Sequence, residues 1–164
     1  MMKHDSQRGW FAYELHKKMK ENPNIYLIVG DLGYRVFDQH REDFPDRVIN
    51  PGAAEVTMMG VGVGLAMSGK IPFVYSITPF LIYRPFEMIR NYINHEKIPV
   101  KLVGSGRDKD YAHDGFSHNA TDIMPALNLF PEIKKLFPQK KEVMPGLVDQ
   151  MIKDNSPYFI SLSR

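Results

Sequence analysis

The sequence predicts an α/β protein of three layers, with helices on both faces of a mostly parallel sheet. Three observations lead there. Short apolar runs such as Ile25–Val29, Ile71–Ile77 and Tyr158–Leu162 are bounded by Gly, Pro or polar residues, as strands buried on both faces are. Stretches with helical spacing of apolar residues lie between those runs, and the two kinds of segment alternate along the chain. A length of 164 residues supplies one domain, 1–164, with a sizeable core.

Residues 7–21 form the first helix, with Trp10, Phe11, Leu15 and Met19 near helical spacing; Asn22-Pro23-Asn24 breaks it. Ile25–Val29 is the first strand, closed by Gly30. The polar segment 31–47 carries a short helix ending at Phe44-Pro45. Val48-Ile49-Asn50 is a second strand, and 54–68 is a buried helix stopped by Ser68-Gly69. Ile71–Ile77 is the third strand, Pro85–Asn94 a helix with proline in its first turn, and Val100–Gly104 the fourth strand. Residues 105–121 make a loop of unusual length and polarity, and such loops in compact domains are functional or disordered. A helical stretch 121–128, the segment 131–137, a helix 145–154 and the strand Tyr158–Leu162 complete the chain. Sheets of this kind bind ligands beyond the carboxyl ends of their strands. Asp31, the turn before Glu55, the 77–84 segment and the 104–118 loop all fall at that edge.

Composition removes several classes of function. A formal net charge of +2 with scattered Lys and Arg gives no case for nucleic acid. The absence of cysteine rules out disulfides, thiolate metal sites and a cysteine nucleophile, and fits a reducing compartment. No apolar run approaches a membrane span, and Met1-Met2-Lys3-His4-Asp5 lacks the apolar core of a signal peptide. The expected location is the cytoplasm.

The most informative residue is Glu55. It stands at the mouth of the apolar, glycine-interrupted stretch Val56 to Ala66, with no basic residue nearby in sequence. A buried carboxylate must be protonated, paired or used. The plain alternative is that it favours the positive end of a helix dipole.

Downstream come the aromatic triplet Phe80, Tyr83 and Phe86, and then Asp114-Gly115-x-x-His118. With Gly60 and Gly64 following Glu55, this order of landmarks resembles the pyrimidine-binding domain of the transketolase family of thiamine-diphosphate enzymes. Asp31-Leu32-Gly33, Phe44-Pro45-Asp46-Arg47, Ser68-Gly69-Lys70-Ile71-Pro72-Phe73 and Leu162-Ser163-Arg164 extend the similarity over nearly the whole chain. The resemblance implies the thiamine-diphosphate-binding fold of the pyrimidine type and a role for each matched position. Glu55 would hydrogen-bond the pyrimidine ring nitrogen, favouring the imino form of the neighbouring amine so that the thiazolium carbon can ionise; an apolar setting that raises its pKa would suit that role. Phe80, Tyr83 and Phe86 would grip the flat pyrimidine, although their spacing equally suits a core-facing helix stripe. Asp31 would lie near the thiazolium, with helix N-capping as the rival explanation. His118 would face a substrate hydroxyl or carbonyl and Asp114 a sugar hydroxyl, although a histidine in a polar loop is commonly just solvated. His113 takes a position usually acidic in the family and receives no role. His4, His16, His40 and His95 read as surface residues.

Two departures qualify the resemblance. The metal signature, Gly-Asp-Gly followed further on by Asn, is missing, since Gly30-Asp31-Leu32 with Asn50 has the wrong third residue and spacing. No metal ligand is therefore expected in this chain. A separate diphosphate-binding subunit would hold Mg2+ or Ca2+ and the diphosphate, with two copies of each chain. The 54–66 and 80–93 helices would supply interface as well as core. Second, many family members hold a substrate phosphate with a histidine and an arginine at the positions of Gly106 and Phe137. Either the substrate lacks that phosphate, or Arg107 and Lys109 replace the clamp; a solvated charge run is the plain alternative. The activity implied is transfer of a two-carbon ketol unit from a ketose to an aldehyde, on sugar or sugar-phosphate substrates. A decarboxylating carboligase resembling the 1-deoxyxylulose-phosphate synthases, a 2-oxo acid decarboxylase subunit and a non-catalytic regulatory paralogue stay as alternatives.

Overall fold

The computed structural model describes residues 4–164; Met1, Met2 and Lys3, part of the stretch read for a signal peptide, lie outside the described residues. Six strands form one sheet in the order β2-β1-β3-β4-β6-β5. They are β1 (Ile25–Val29), β2 (Val48–Ile49), β3 (Ile71–Ile77), β4 (Lys101–Ser105), β5 (Lys134–Leu136) and β6 (Tyr158–Leu162). Every pairing is parallel, from Leu27 opposite Val48 at one edge to Leu136 opposite Ile160 at the other.

Alternation along the strands builds two cores. Leu27, Phe73, Tyr75, Val103, Tyr158 and Ile160 join the core beneath α1 (Gln7–Glu21), α2 (Asp38–Asp43) and α7 (Met144–Lys153). Ile28, Val74, Leu102 and Phe159, one residue out of phase, face α3 (Glu55–Met67), α4 (Thr78–Tyr83) and α6 (Ile123–Asn128). Period-two side chains on a sheet covered twice leave no polar face, which explains the continuous apolar runs. The right-handedness of parallel crossovers assigns the helices: steps along the sheet in opposite directions put their helices on opposite faces.

Helix α1 is capped by Ser6, whose hydroxyl accepts from the Gly9 amide at 3.1 Å, and it buries Phe11, Ala12, Leu15 and Met19. Each large apolar side chain buried this way contributes roughly 1.5–3 kcal/mol. Helix α3 is not buried all round, as the sequence suggested. Met58, Met59, Val63 and Ala66 face the core, but Val56 and Met67 are exposed. The helix expected from Pro85 begins earlier and in another form. α4 starts at Thr78 directly on the end of β3, the short α5 (Phe86–Met88) follows, and Ile89–His95 is wound as a π-helix. The segment 131–137 contains β5.

His16 and His40 are a correction. Both are buried, at 3% and 0% exposure, between α1 and α2. His16 Nε2 donates to Asp43 Oδ2 at 2.7 Å, and its ring meets that of His40 edge-on at 5.0 Å. No helix among the described residues is long and apolar enough to cross a membrane.

Candidate active site

The sheet order reverses direction between β1 and β3, and in such sheets ligands bind beyond the carboxyl ends of the strands at that point. Glu55 begins α3 at that point and is 2% exposed. Its surroundings differ from the expected apolar ones. Ser76 Oγ donates to Glu55 Oε1 at 2.9 Å, and Arg84 Nη1 donates to Oε2 at 2.7 Å. The arginine comes from 29 residues along the chain, so sequence proximity could not reveal the pair. Ser76 left a trace: it is the one hydroxyl in the otherwise apolar β3, apart from the phenol of Tyr75.

Phe80 and Arg84 are four apart at the start and end of one helical turn and share a face. The guanidinium carbon lies 3.8 Å from the centre of the Phe80 ring, while the arginine side chain stays 45% exposed. His118 packs edge-on against Phe80, centroids 4.8 Å apart, and its Nδ1 lies 3.1 Å from Ser117 Oγ. Ser76, Glu55, Arg84, Phe80 and His118 therefore form one contiguous chain of contacts, drawn from β3, α3, α4 and the long loop.

The other expected residues do not all join it. Tyr83 is 41% exposed and its hydroxyl donates to the Asp122 carbonyl at 3.0 Å, tying α4 to the segment after His118. Phe86 turns toward the core, its ring 5.0 Å from Phe130. The triplet thus splits, with Phe80 linked to Glu55 through Arg84. Asp31 caps no helix, since α2 begins at Asp38. It is exposed at the end of β1 with φ +53, accepts from Tyr34 at 2.8 Å, and its amide donates to Asn50 Oδ1 at 2.9 Å. A left-handed non-glycine residue at the ligand edge of a sheet is stored strain held by its neighbours. Asn50 Oδ1 also accepts from Gly52, so one amide side chain shapes the turn leading into Glu55.

The segment 105–121 is tethered. Tyr111 receives a hydrogen bond from Arg8 at 2.7 Å and lies 3.0 Å from Ser105 Oγ. Gly106 has φ +83, and a Cβ there would stand 2.3 Å from the Tyr111 ring, so only glycine permits this closure. Within the loop Asp114 is exposed, 3.3 Å from His113 Nε2, and the adjacent Phe116 is 83% exposed. Arg107 does not reach out as a clamp. Its Nε donates to Ser161 Oγ at 3.2 Å, Nη1 to the Pro138 carbonyl at 2.9 Å, and Nη2 to the Ser161 carbonyl. Burial lowers its pKa. The side chain ties the loop to β6 instead. Among the described residues, no group of three or more His, Asp or Glu is placed to hold a metal ion.

The family model for the transketolase pyrimidine-binding domain covers residues 6–164. The chain belongs to that family. Its transketolase relatives include a subunit of the apulose-4-phosphate transketolase of Actinobacillus succinogenes, 29% identical over 74% of this chain and 39% of that one. A 6-deoxy-6-sulfo-D-fructose transketolase subunit of a Clostridium species is 28% identical over 75% of this chain and 38% of its own length. Among solved structures, a split-gene transketolase described as an inactive beta4 tetramer superposes with a TM-score of 0.84 at 29% identity, covering 97% of this chain and 51% of that one. The pyrimidine-domain fold is shared throughout. The chain spans about half or less of the length of these transketolase relatives.

Proposed function

We propose that this chain is the pyrimidine-binding part of a split, thiamine-diphosphate-dependent transketolase-like enzyme of the cytoplasm. It transfers a two-carbon ketol unit from a ketose to an aldehyde acceptor, together with a separate diphosphate-binding subunit that holds the divalent cation, two copies of each. The observation that carries the reading is Glu55, buried at the start of α3 with one oxygen on Ser76 and the other on Arg84. Relatives described as single subunits of transketolases, and one described as a split-gene tetramer, support a divided enzyme. An inactive assembly of the split-gene relative is in keeping with a site that a second polypeptide completes.

The residues present fit the cofactor's pyrimidine end. Each carboxylate oxygen has two acceptor positions, and each spends one, so Glu55 keeps capacity for a ring N–H. Thiamine diphosphate, once bound, supplies the carbon nucleophile and electron sink of ketol transfer. Glu55 would hold the shared proton at its carboxylate, oriented by Ser76 and balanced by Arg84. Phe80, in contact with both Arg84 and His118, offers a ring fixed in place for the heterocycle. His118, in the loop beside it, would exchange a proton with a substrate hydroxyl, with Asp114 exposed nearby to accept from a sugar. Asp31 stands above β1 on the same edge.

The reading is tested by reconstituting the chain with a diphosphate-binding partner. Glu55→Gln should cut turnover about a hundredfold or more while assembly persists. Normal activity in that variant, or full ketol transfer by the isolated wild-type chain, would contradict it.

A further inference from the structure

Arg84 holds two groups that the proposed cofactor would also need. Its Nη1 donates to Glu55 Oε2 at 2.7 Å, and its guanidinium carbon lies 3.8 Å from the centre of the Phe80 ring. The guanidinium therefore rests against the face of that ring turned toward Glu55, and presents a flat edge of N–H donors to the carboxylate. A protonated aminopyrimidine is likewise flat, delocalised and edged with N–H donors. Oε2 keeps a second acceptor position. A ring lying on the same face of Phe80 and bonding Glu55 would nevertheless need the space in which the guanidinium stands.

The side chain is free to leave, while its backbone is not. Arg84 closes α4, where the Tyr83 hydroxyl is tied to the Asp122 carbonyl at 3.0 Å and the buried Pro85 fixes the chain behind it. The arginine side chain is 45% exposed, against 2% for that of Glu55. Among the described residues, Glu55 is the one group its guanidinium hydrogen-bonds. Arg107, by contrast, holds Ser161 and Pro138 through three nitrogens, and Arg47 holds the carbonyls of Met19, Asn22 and Ile25. Those two arginines are fastened into the fold. A half-exposed pair with a single hydrogen bond is held weakly.

Resting on the pyrimidine-binding reading above, we infer that Arg84 is a positioning residue that competes with the cofactor's aminopyrimidine for Glu55 and Phe80. It orients the buried carboxylate through Oε2, and it gives up the face of Phe80 to the heterocycle by swinging out along its exposed side. Cofactor binding is thereby coupled to the opening of one ion pair. The apparent affinity is lowered by the fraction of molecules in which that pair is closed.

Calorimetric titration of the reconstituted pair with thiamine diphosphate and Mg2+ tests this without any measurement of turnover. Arg84→Met, which removes the charge and keeps the length, should bind about tenfold more tightly than the wild type, as expected if the pair is closed in about nine molecules of ten. Arg84→Lys keeps a charge for Glu55 but gives up the plane on Phe80, so its affinity should lie between the two. Should Arg84→Met fail to assemble, Arg84→Lys decides alone. An arginine that only supports the fold would leave the affinity unchanged, and one that helps to hold the cofactor would weaken it when removed. Either result in the variant that assembles overturns the inference and leaves the pyrimidine-binding reading standing. Absence of thiamine diphosphate binding by the wild type and both variants would overturn that reading, and the inference with it.

Discussion

Glu55 and Arg84 illustrate how a single pair sets the character of a site. Removing the arginine leaves a carboxylate that is 2% exposed with only Ser76 beside it. Breaking a fully buried pair costs about 3–5 kcal/mol, but Arg84 is 45% exposed and water screens it. Arg84→Met should therefore lower stability by about 1–2 kcal/mol at neutral pH. Thermal melts of the two proteins measure the deficit, and equal stability would refute the pairing. His40 makes stability depend on pH. Burial pushes its pKa down to about 3, with nearby His16 adding to the shift; the Ala12 carbonyl offers only a weak counter-pull and neither ring nitrogen has a well-formed hydrogen bond. A histidine depressed below its ordinary value of 6.5 contributes stability that is whole above that pH and is lost as pH falls toward 3. The loss should approach about 1.4 kcal/mol per pH unit. His40→Phe should flatten that part of the stability profile, as denaturant titrations between these pH values would reveal. His40 looked like a surface residue because α2 is short and polar, and nothing local marks the face it turns inward.

At the scale of the element, α3 carries two different faces under one apolar sequence. A Cβ on Gly62 would stand 2.9 Å from Val74 Cγ2 on β3, so this glycine sets how closely helix and sheet approach. Gly62→Val should overpack that contact and cost about 1–3 kcal/mol, measurable by chemical denaturation. The strands were legible because burial on both faces selects continuous apolar runs, and α1 was legible through its spacing of apolar residues. The start of α4 was not. Ile77-Thr78-Pro79 reads as a strand end followed by a break, yet the Thr78 hydroxyl anchors to the Ser105 and Gly106 carbonyls across the neighbouring strand. That long-range anchor places Phe80 over the sheet edge, and no local pattern encodes it.

The whole molecule shows what α3 keeps in reserve. Val56, Met67 and Gly64 lie on its exposed side, and a Cβ at Gly64 would meet nothing within 4 Å. Gly64→Glu should leave the isolated chain as stable as before, or up to about 1 kcal/mol more so from helix propensity. If this face docks the second subunit, the same change should abolish assembly in sedimentation or co-purification, and intact assembly would move the interface elsewhere. The sequence alone determined the layered parallel fold, the carboxylate at the head of α3 and the order of the family's landmarks, because strand burial, helix spacing and glycine placement are local properties of a chain. Only the tertiary structure decided that Arg84 faces Glu55, that Phe86 leaves the aromatic triplet for the core, and that Arg107 ties the loop to β6. Those outcomes depend on which distant groups compete for each hydrogen bond and each buried surface, and that competition is resolved only when the sheet brings them together.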